Sequence, residues 1–288
     1  MGARAERAAA TAGTASGVAP TSAARSAPAS TAASPTPARA PVAPAPTPKI
    51  PPPPPRAPLT TAASAAPPPT PSAAPGSPGE LPARSAEDVR RIAQSCGDLS
   101  SLRAAVARCE ACALARTRTQ TVFADGPERA DVMFVGEAPG ENEDRQGVPF
   151  VGEAGKLLTD IIEKGMGLPR SQVVIANVLK CRPPENRDPS AEETRTCTPW
   201  LDRQLELVGP KVLIPLGKHA SNHVLGVAGP ELRTMGSLRE RVHERDGRKI
   251  VPTFHPSYLL RTPEAKKDCW KDIQLAMGLL GLAPQRRG

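Results

Sequence analysis

The sequence has few aromatic residues and no long apolar run. Its 288 residues include four Phe, two Trp and one Tyr. No apolar stretch approaches the roughly 18 residues of a membrane span, and the N-terminus has no apolar core typical of a secretory signal. We therefore expect a cytoplasmic protein with no membrane contact. Because aromatic side chains are scarce, one that stands in a polar loop indicates a specific contact rather than general packing.

Long aliphatic side chains are almost missing from residues 1–84, which contain 21 of the 36 prolines beside Ala, Ser and Thr. Such a segment cannot bury enough apolar surface to offset the entropy lost when its backbone is ordered. We predict a disordered tail over 1–84 and one folded domain over 85–288. The tail has seven basic and two acidic residues, so it can either hold the chain near polyanions or be a solvated linker.

Four short apolar runs rich in Val and Ile predict strands in the folded part. They are residues 131–138, 173–180, 211–217 and 249–256. Helical patterns separate them, and two more helices precede the first strand, one of them with Ser85 as its N-cap. This alternation predicts an α/β fold, a three-layer α/β/α sandwich with a central, mostly parallel four-stranded sheet. The segment 240–249 is predicted to be a solvated hairpin or loop.

Unusual residues stand at the carboxyl ends of the predicted strands. The turn GEAPG, residues 136–140, follows the first strand, Asn177 lies late in the second, and His255 closes the fourth. Ligands of open parallel sheets bind beyond the carboxyl ends of the strands. The sequence therefore predicts that these residues converge on one pocket, with Phe150 in the polar loop beside it.

Four of the six cysteines have a spacing typical of metal sites. Cys109 and Cys112 form a Cys-x-x-Cys pair, and Cys181 is separated from Cys197 by fifteen residues. Four thiolates in two paired segments suit zinc or an iron–sulfur cluster, and the spacing does not choose between the two. The other two cysteines are predicted to pack as small apolar side chains.

Three motifs together resemble family 4 uracil-DNA glycosylase, the iron–sulfur branch of the uracil-DNA glycosylase superfamily. They are GEAPGENEDRQGVPFVGEAGKLL (136–158), NVLKCRPPENRDPS (177–190) and FHPSYLLR (254–261), joined to the cysteine spacing. The resemblance implies a monofunctional glycosylase that flips uracil out of DNA and leaves an abasic site. It also implies a [4Fe-4S] cluster held by Cys109, Cys112, Cys181 and Cys197. We expect a monomer whose partner is uracil-containing DNA.

The resemblance and the shape of uracil assign the base-binding residues. Phe150 is expected to be an exposed ring that stacks on the flipped base. The amide of Asn177 is expected to accept from uracil N3–H and to donate to O4, which cytosine cannot match. Gly136 and Ala138 belong to a turn whose backbone can approach the base closely.

Two residues are expected to act on the bond that breaks. A neutral His255 is predicted to donate a hydrogen bond to O2 as the uracil anion forms. Glu137 is predicted to position the attacking water, with Glu143 or Asp144 as alternatives. In the loop that follows the histidine, we expect Leu259, Leu260 and Arg261 to contact DNA.

Two other functions fit parts of the same pattern. The first is a glycosylase of the superfamily with wider deaminated-base substrates. The second is a non-catalytic, metal-stabilised DNA-binding module, which needs only the four thiolates and a basic surface. The second alternative leaves the polar residues at three strand ends without an explanation.

Overall fold

The computed structural model describes residues 83–227 and 229–283. The predicted tail over 1–84 therefore lies outside the described residues except for its last two positions. The described part forms a mixed sheet with helices on both faces, which confirms the predicted α/β fold. None of the helices within the described ranges is long and apolar enough to cross a membrane.

The sheet has six strands, two more than the sequence predicts. They are β1 (Ala124–Asp125), β2 (Val132–Gly136), β3 (Val174–Asn177), β4 (Val212–Pro215), β5 (His243–Arg245) and β6 (Arg248–Ile250), in the order β1-β3-β2-β4-β6-β5. The four predicted strands correspond to β2, β3, β4 and β6, which run parallel. The additional strands β1 and β5 are antiparallel and form the two edges. The hairpin predicted over 240–249 is the β5–β6 pair.

Nine helices surround the sheet in the described ranges. They are α1 (Ala86–Ser95), α2 (Leu99–Ala107), α3 (Glu141–Gln146), α4 (Glu153–Asp160), α5 (Ala191–Val208), α6 (Gly217–Val224), α7 (Met235–Leu238), α8 (Pro256–Arg261) and α9 (Lys266–Leu279). Side-chain caps fix the starts of α1, α2, α5 and α8. The Ser85 hydroxyl accepts from the backbone N–H of Asp88 at the start of α1, as predicted. Ser190 and Glu193 form a capping box at the start of α5.

The alternating side chains of the inner strands build two cores. Phe134, Ile175 and Ile214 face one side, where they pack with residues of α4 and α9. Their neighbours Met133 and Ala176 face the other side and pack with residues of α5 and α6. A third cluster joins α1 and α2 to α5 around Trp200 and includes the four paired cysteines. The sheet is therefore rigidly held between two layers, and its strand ends have fixed positions.

Candidate active site

A cleft of ≈ 800 Å³ opens beyond the carboxyl ends of the central strands. The structure brings five of the residues predicted to bind or cleave the base to its lining: Glu137, Ala138, Phe150, Asn177 and His255. They come from the end of β2, the loop before α4, the end of β3 and the residue before α8. The parallel strand order explains this meeting, because β2 and β3 are neighbours and end at the same edge.

The amide of Asn177 carries an acceptor that is buried without a donor. The residue is 1% exposed, and its Oδ1 accepts no hydrogen bond from any residue that the structure describes. Leaving a buried acceptor unpaired costs about 1–3 kcal/mol, so such an atom needs an explanation. A ligand with an N–H group in the cleft would supply the missing donor.

Gly136 keeps open the space in front of this amide. It pairs directly with Asn177 across β2 and β3. A Cβ at this position would lie 2.6 Å from Cζ of Phe150 and closer still to Oδ1 of Asn177. Only glycine therefore leaves room between the amide and the ring.

Phe150 forms a wall of the cleft. Its side chain is 6% exposed, so the expectation of an exposed ring is wrong. The ring centroid lies 5.6 Å from that of His255, with the planes tilted by 36°. The backbone has φ of 56°, a left-handed conformation that costs a non-glycine residue about 1–3 kcal/mol. Because the strain aims the ring into the cleft, it favours a functional role for the ring.

His255 presents one defined nitrogen to the cleft. Its Nδ1 accepts from the backbone N–H of Ser257 at 3.2 Å, in the N-cap position of α8. A backbone N–H can only donate, so Nδ1 carries no proton and the neutral ring carries its proton on Nε2. Burial, helped by the charge of Arg261 and opposed by that of Glu143, lowers the pKa of His255 to about 4. The ring is thus a neutral Nε2–H donor at neutral pH.

The two alternative carboxylates are already engaged. Oε1 of Glu143 accepts from the backbone N–H groups of Val151 and Gly152, each at 2.9 Å. The carboxylate of Asp144 is buried and accepts from the backbone N–H of Thr119 at 3.0 Å. Glu143 thus holds the loop just after Phe150, and Asp144 holds the segment at Thr119, so the structure gives both side chains positioning contacts.

Glu137 is half-buried in the cleft, and its carboxylate accepts no hydrogen bond within the described part of the chain. Its oxygen lies in a group with atoms of Asp188 and His219 that are all within 4.8 Å of one another. Burial raises the pKa of Glu137; the charge of His219 opposes this and that of Asp188 adds to it. Glu137 is therefore free to bind a water and to accept a proton.

The sequence prediction did not include Asp188, His219 or Asn186. Asp188 and Asn186 line the cleft, and His219 lies beside Glu137 in α6. A signal for His219 exists in the sequence, because GKHAS follows β4 directly and so lies at the same sheet edge. The loop before Asp188 has two successive left-handed residues, Glu185 and Asn186, which a sequence does not reveal.

Of the loop residues predicted to contact DNA, Leu259 does not fit. It is 1% exposed and packs in the core beneath α8, so the prediction for this residue is wrong. The next residue, Leu260, is 44% exposed, and Arg261 lines the cleft. A single residue step along the helix separates the inward and outward positions, since Leu259 and Leu260 point about 100° apart.

The four cysteines predicted to bind a metal lie together in the third core cluster. Cys109, Cys112, Cys181 and Cys197 are unbonded to one another and line one small enclosed cavity. Burial raises the pKa of the Cys181 thiol to about 11 and also raises that of Cys112 and Cys197. Without a cation these thiols are therefore protonated at neutral pH. A bound metal would be needed to hold them as thiolates.

Two features of this cavity describe the group it would hold. Trp200 lines it, and the buried indole Nε1 donates to no residue in the described ranges. Among described residues, three possible ligand atoms come within 4.8 Å of one another only at Glu137, Asp188 and His219, so no three cysteine sulfurs are that close. Thiolates on one zinc ion lie about 3.8 Å apart, given Zn–S bonds of about 2.3 Å. The four sulfurs are therefore not gathered as tightly as the ligands of one zinc ion.

Comparisons with known proteins find uracil-DNA glycosylases among the similar sequences. Residues 123–274 match the family described as the uracil DNA glycosylase superfamily. The type-4 uracil-DNA glycosylase of Sulfurisphaera tokodaii is 41% identical over 192 residues, 65% of this chain and 87% of that protein. The type-4 enzyme of Archaeoglobus fulgidus is 41% identical over 177 residues, 60% of this chain and 88% of that protein. A type-5 uracil-DNA glycosylase of Pyrobaculum aerophilum is 32% identical over 148 residues, 46% of this chain and 64% of that protein.

Proposed function

The chain belongs to the uracil-DNA glycosylase superfamily and within it to the type-4 glycosylases, and from this membership we propose that it hydrolyses the N-glycosidic bond of uracil in DNA. The product is DNA with an abasic site, so the reaction starts base excision repair. The observation that carries the proposal is the buried, unpaired Oδ1 of Asn177 in a slot beside an aromatic ring. This slot suits a flat base with an N–H group.

Base flipping and base stacking have comparable energies. Taking uracil out of the duplex costs a few kcal/mol. Stacking on an aromatic ring contributes about 1–3 kcal/mol, and Phe150 lies where the base would enter. Leu260 and Arg261 stand at the exposed end of α8, where they would contact the strand. The ring therefore offsets much of the flipping cost without selecting the base.

Selection of uracil is assigned to Asn177. Its Oδ1 would accept from uracil N3–H and its Nδ2 would donate to O4. Cytosine presents an acceptor at N3 and a donor at its exocyclic amine, so both contacts would oppose. Each mismatched buried group costs about 1–3 kcal/mol. The amide thus reads the edge of the base that deamination changes.

The chemical step needs a donor for the leaving group and an acceptor for a proton. As the C1′–N1 bond breaks, its electron pair moves to the uracil ring, and the Nε2–H of His255 stabilises the negative charge at O2. A water oxygen bonds to C1′, and its proton passes to the carboxylate of Glu137. The carboxylate also offsets positive charge on the sugar. Uracil leaves as an anion that takes a proton from solvent.

We assign a [4Fe-4S] cluster to the four cysteines. The resemblance of the motifs to the iron–sulfur branch supports this assignment, and so does the absence of any three sulfurs within 4.8 Å of one another among the described residues. When bound, the cluster would supply a structural cross-link between the segment after α2, the segment after β3 and α5. Cys181 is four residues beyond Asn177, so this link would also hold the uracil-selecting segment.

The proposed reaction is tested with an oligonucleotide that contains one uracil. Iron-loaded protein should release free uracil while the strand stays intact, and alkali should then break the strand at the abasic site. The matching oligonucleotide with cytosine should remain whole under the same treatment. Uracil-containing DNA that survives, while a control glycosylase cleaves it, would show that the protein is not this enzyme.

Replacing Gly136 with Ala should block the uracil slot. The added methyl group would collide with the Phe150 ring and the Asn177 amide, so we expect kcat/KM to fall at least about tenfold, equivalent to the roughly 1–3 kcal/mol cost of overpacking. Gly97→Ala is the matched control, because a Cβ there meets no atom within 4 Å. Equal activity of the two variants would contradict the assignment of the slot.

The acidic limb of the pH–activity profile should follow the ionisation of the Glu137 carboxyl. The base must be ionised, so activity is lost as pH falls through its raised pKa. His219→Asn removes a group that lowers this pKa and should move the limb to higher pH, whereas Asp188→Asn should move it to lower pH. The kcat/KM of each variant, measured from pH 4 to 9, tests this pair. Shifts in the same direction would rule out Glu137 as the titrating group.

Cys197→Ser should remove the metal site and lower stability. We expect loss of iron and of visible absorption, with Tm lower by at least about 5 °C, because a structural metal contributes more than about 2 kcal/mol and each kcal/mol shifts Tm by about 2–4 °C. Cys269→Ser is the control, since Cys269 is buried in the core on the other side of the sheet. Full iron content in the Cys197 variant would contradict the proposed ligand set.

A further inference from the structure

Lys180 is a buried cation that the proposed reaction does not use. Its side chain is 1% exposed. The ammonium donates to the main-chain carbonyl of Asn177 at 2.6 Å and to Oε1 of Gln204 at 2.5 Å. Gln204 is itself fully buried, and its Nε2 donates to the carbonyl of Phe123 at 3.1 Å. The ammonium therefore has a fixed position between the end of β3 and α5.

Neither of these two acceptors carries a charge. Within the described ranges, no carboxylate forms an ion pair with Lys180. Lys180 does line the small cavity of the four cysteines, and it is the residue just before Cys181. A buried ammonium is costly unless a counter-charge lies near it. The thiolates of a loaded cysteine site would supply that counter-charge.

The main chain of Lys180 also touches the cysteine site. Its backbone N–H donates to Sγ of Cys197 at 3.3 Å, and the next residue along the chain is Cys181. Arg118 reaches Sγ of Cys181 at 3.3 Å but is only partly buried, so water screens its charge. Lys180 is thus the cation that solvent does not screen.

We propose that Lys180 is the counter-cation of the four-thiolate site. We also propose that it is a strut, a side chain whose hydrogen bond holds the carbonyl of Asn177 in a fixed position next to that site. The inference rests on the proposed cluster. Four thiolates around a [4Fe-4S] core carry two net negative charges in the oxidised form, and reduction adds a third. A nearby fixed positive charge favours the more negative form and raises the reduction potential. The same ammonium holds the carbonyl of Asn177, so the metal site and the base-reading amide share one support.

Lys180→Met tests both parts of the proposal. Loss of the charge should shift the equilibrium between oxidised and reduced cluster at least tenfold towards the oxidised form, a fall in potential of about 59 mV for one electron. Loss of the strut should lower the ratio of uracil to cytosine excision at least about tenfold. The matched control is Lys211→Met, because Lys211 is exposed at the opposite end of β4. It should leave both values unchanged.

Gln204→Glu is the second variant. It keeps the side-chain volume at position 204 and the hydrogen bond from Lys180 to the carbonyl of Asn177. A carboxylate at this position would pair with the ammonium and cancel its charge, so the potential should fall while base selectivity is retained. If both variants keep the wild-type potential, Lys180 is not the counter-cation; if Lys180→Met keeps wild-type selectivity, it is not the strut. A folded Lys180→Met protein without iron would support the first role. Wild-type protein without iron would instead overturn the proposed cofactor.

Discussion

His255→Leu is expected to slow uracil release by about 10²–10³-fold in single-turnover assays. The loss corresponds to about 2.7–4 kcal/mol, the value of one preorganised donor to a developing negative charge. Since the Nε2–H meets the base only as charge develops on O2, the binding of uracil-containing DNA should change by much less than the rate. Rapid-quench kinetics at saturating enzyme measures the rate, and fluorescence anisotropy measures the binding.

A control variant separates the role of the His255 Nε2–H as a donor from the role of His255 as the N-cap of α8. Ser257→Ala removes the hydroxyl that lies 2.8 Å from Nδ1 of His255 but keeps the backbone N–H that defines the ring tautomer. We expect its rate to stay within about threefold of wild type. A pKa of about 4 also predicts that the rate above pH 5 does not depend on His255 ionisation. A His255→Leu rate within threefold of wild type would remove this residue from the chemical step.

Asn177→Asp is expected to lower the ratio of uracil to cytosine excision by about 30-fold or more. Two opposed contacts, each of about 1–3 kcal/mol, set the discrimination in the wild type. An ionised Asp has no donor for uracil O4, whereas a protonated Asp can donate to cytosine N3 and accept from its amine. Cytosine release should therefore appear as uracil release falls. The ratio of kcat/KM on two oligonucleotides that differ only in the target base measures the effect.

The same chemical change at an exposed site is the control. Asn142 lies in α3, where its Oδ1 accepts from Arg145, and it does not line the cleft. Asn142→Asp should leave the ratio unchanged, which excludes an effect of added negative charge alone. Unchanged discrimination in the Asn177 variant would mean that another group reads the base.

The fold followed from the sequence because its strongest signals are local. Val and Ile runs mark the four parallel strands, and three of these strands, β2, β3 and β4, are buried on both faces. The edge strands β1 and β5 have two and three residues, too few for any periodicity to show. They form because an adjacent strand is already in place, which is a tertiary effect.

The positions of the site residues could be predicted from the sequence where they follow from the order of the parallel strands. The rule that ligands meet the carboxyl ends of parallel strands placed Glu137, Asn177 and His255 together across more than a hundred residues of sequence. The burial of Phe150 was not predictable, since it depends on a left-handed backbone locked by the close packing of Gly155. The choice between Leu259 and Leu260 depends on the rotation of α8 against α4, which no local pattern encodes.

The most direct test of the account is a crystal structure of the iron-loaded protein soaked with uracil. We predict that the base lies against the Phe150 ring, with N3 within 3.2 Å of Asn177 Oδ1 and O2 facing Nε2 of His255, as ordinary N–H···O geometry requires. Uracil bound at any other place, with the Asn177 amide still unpaired, would contradict the claim that this slot recognises the base.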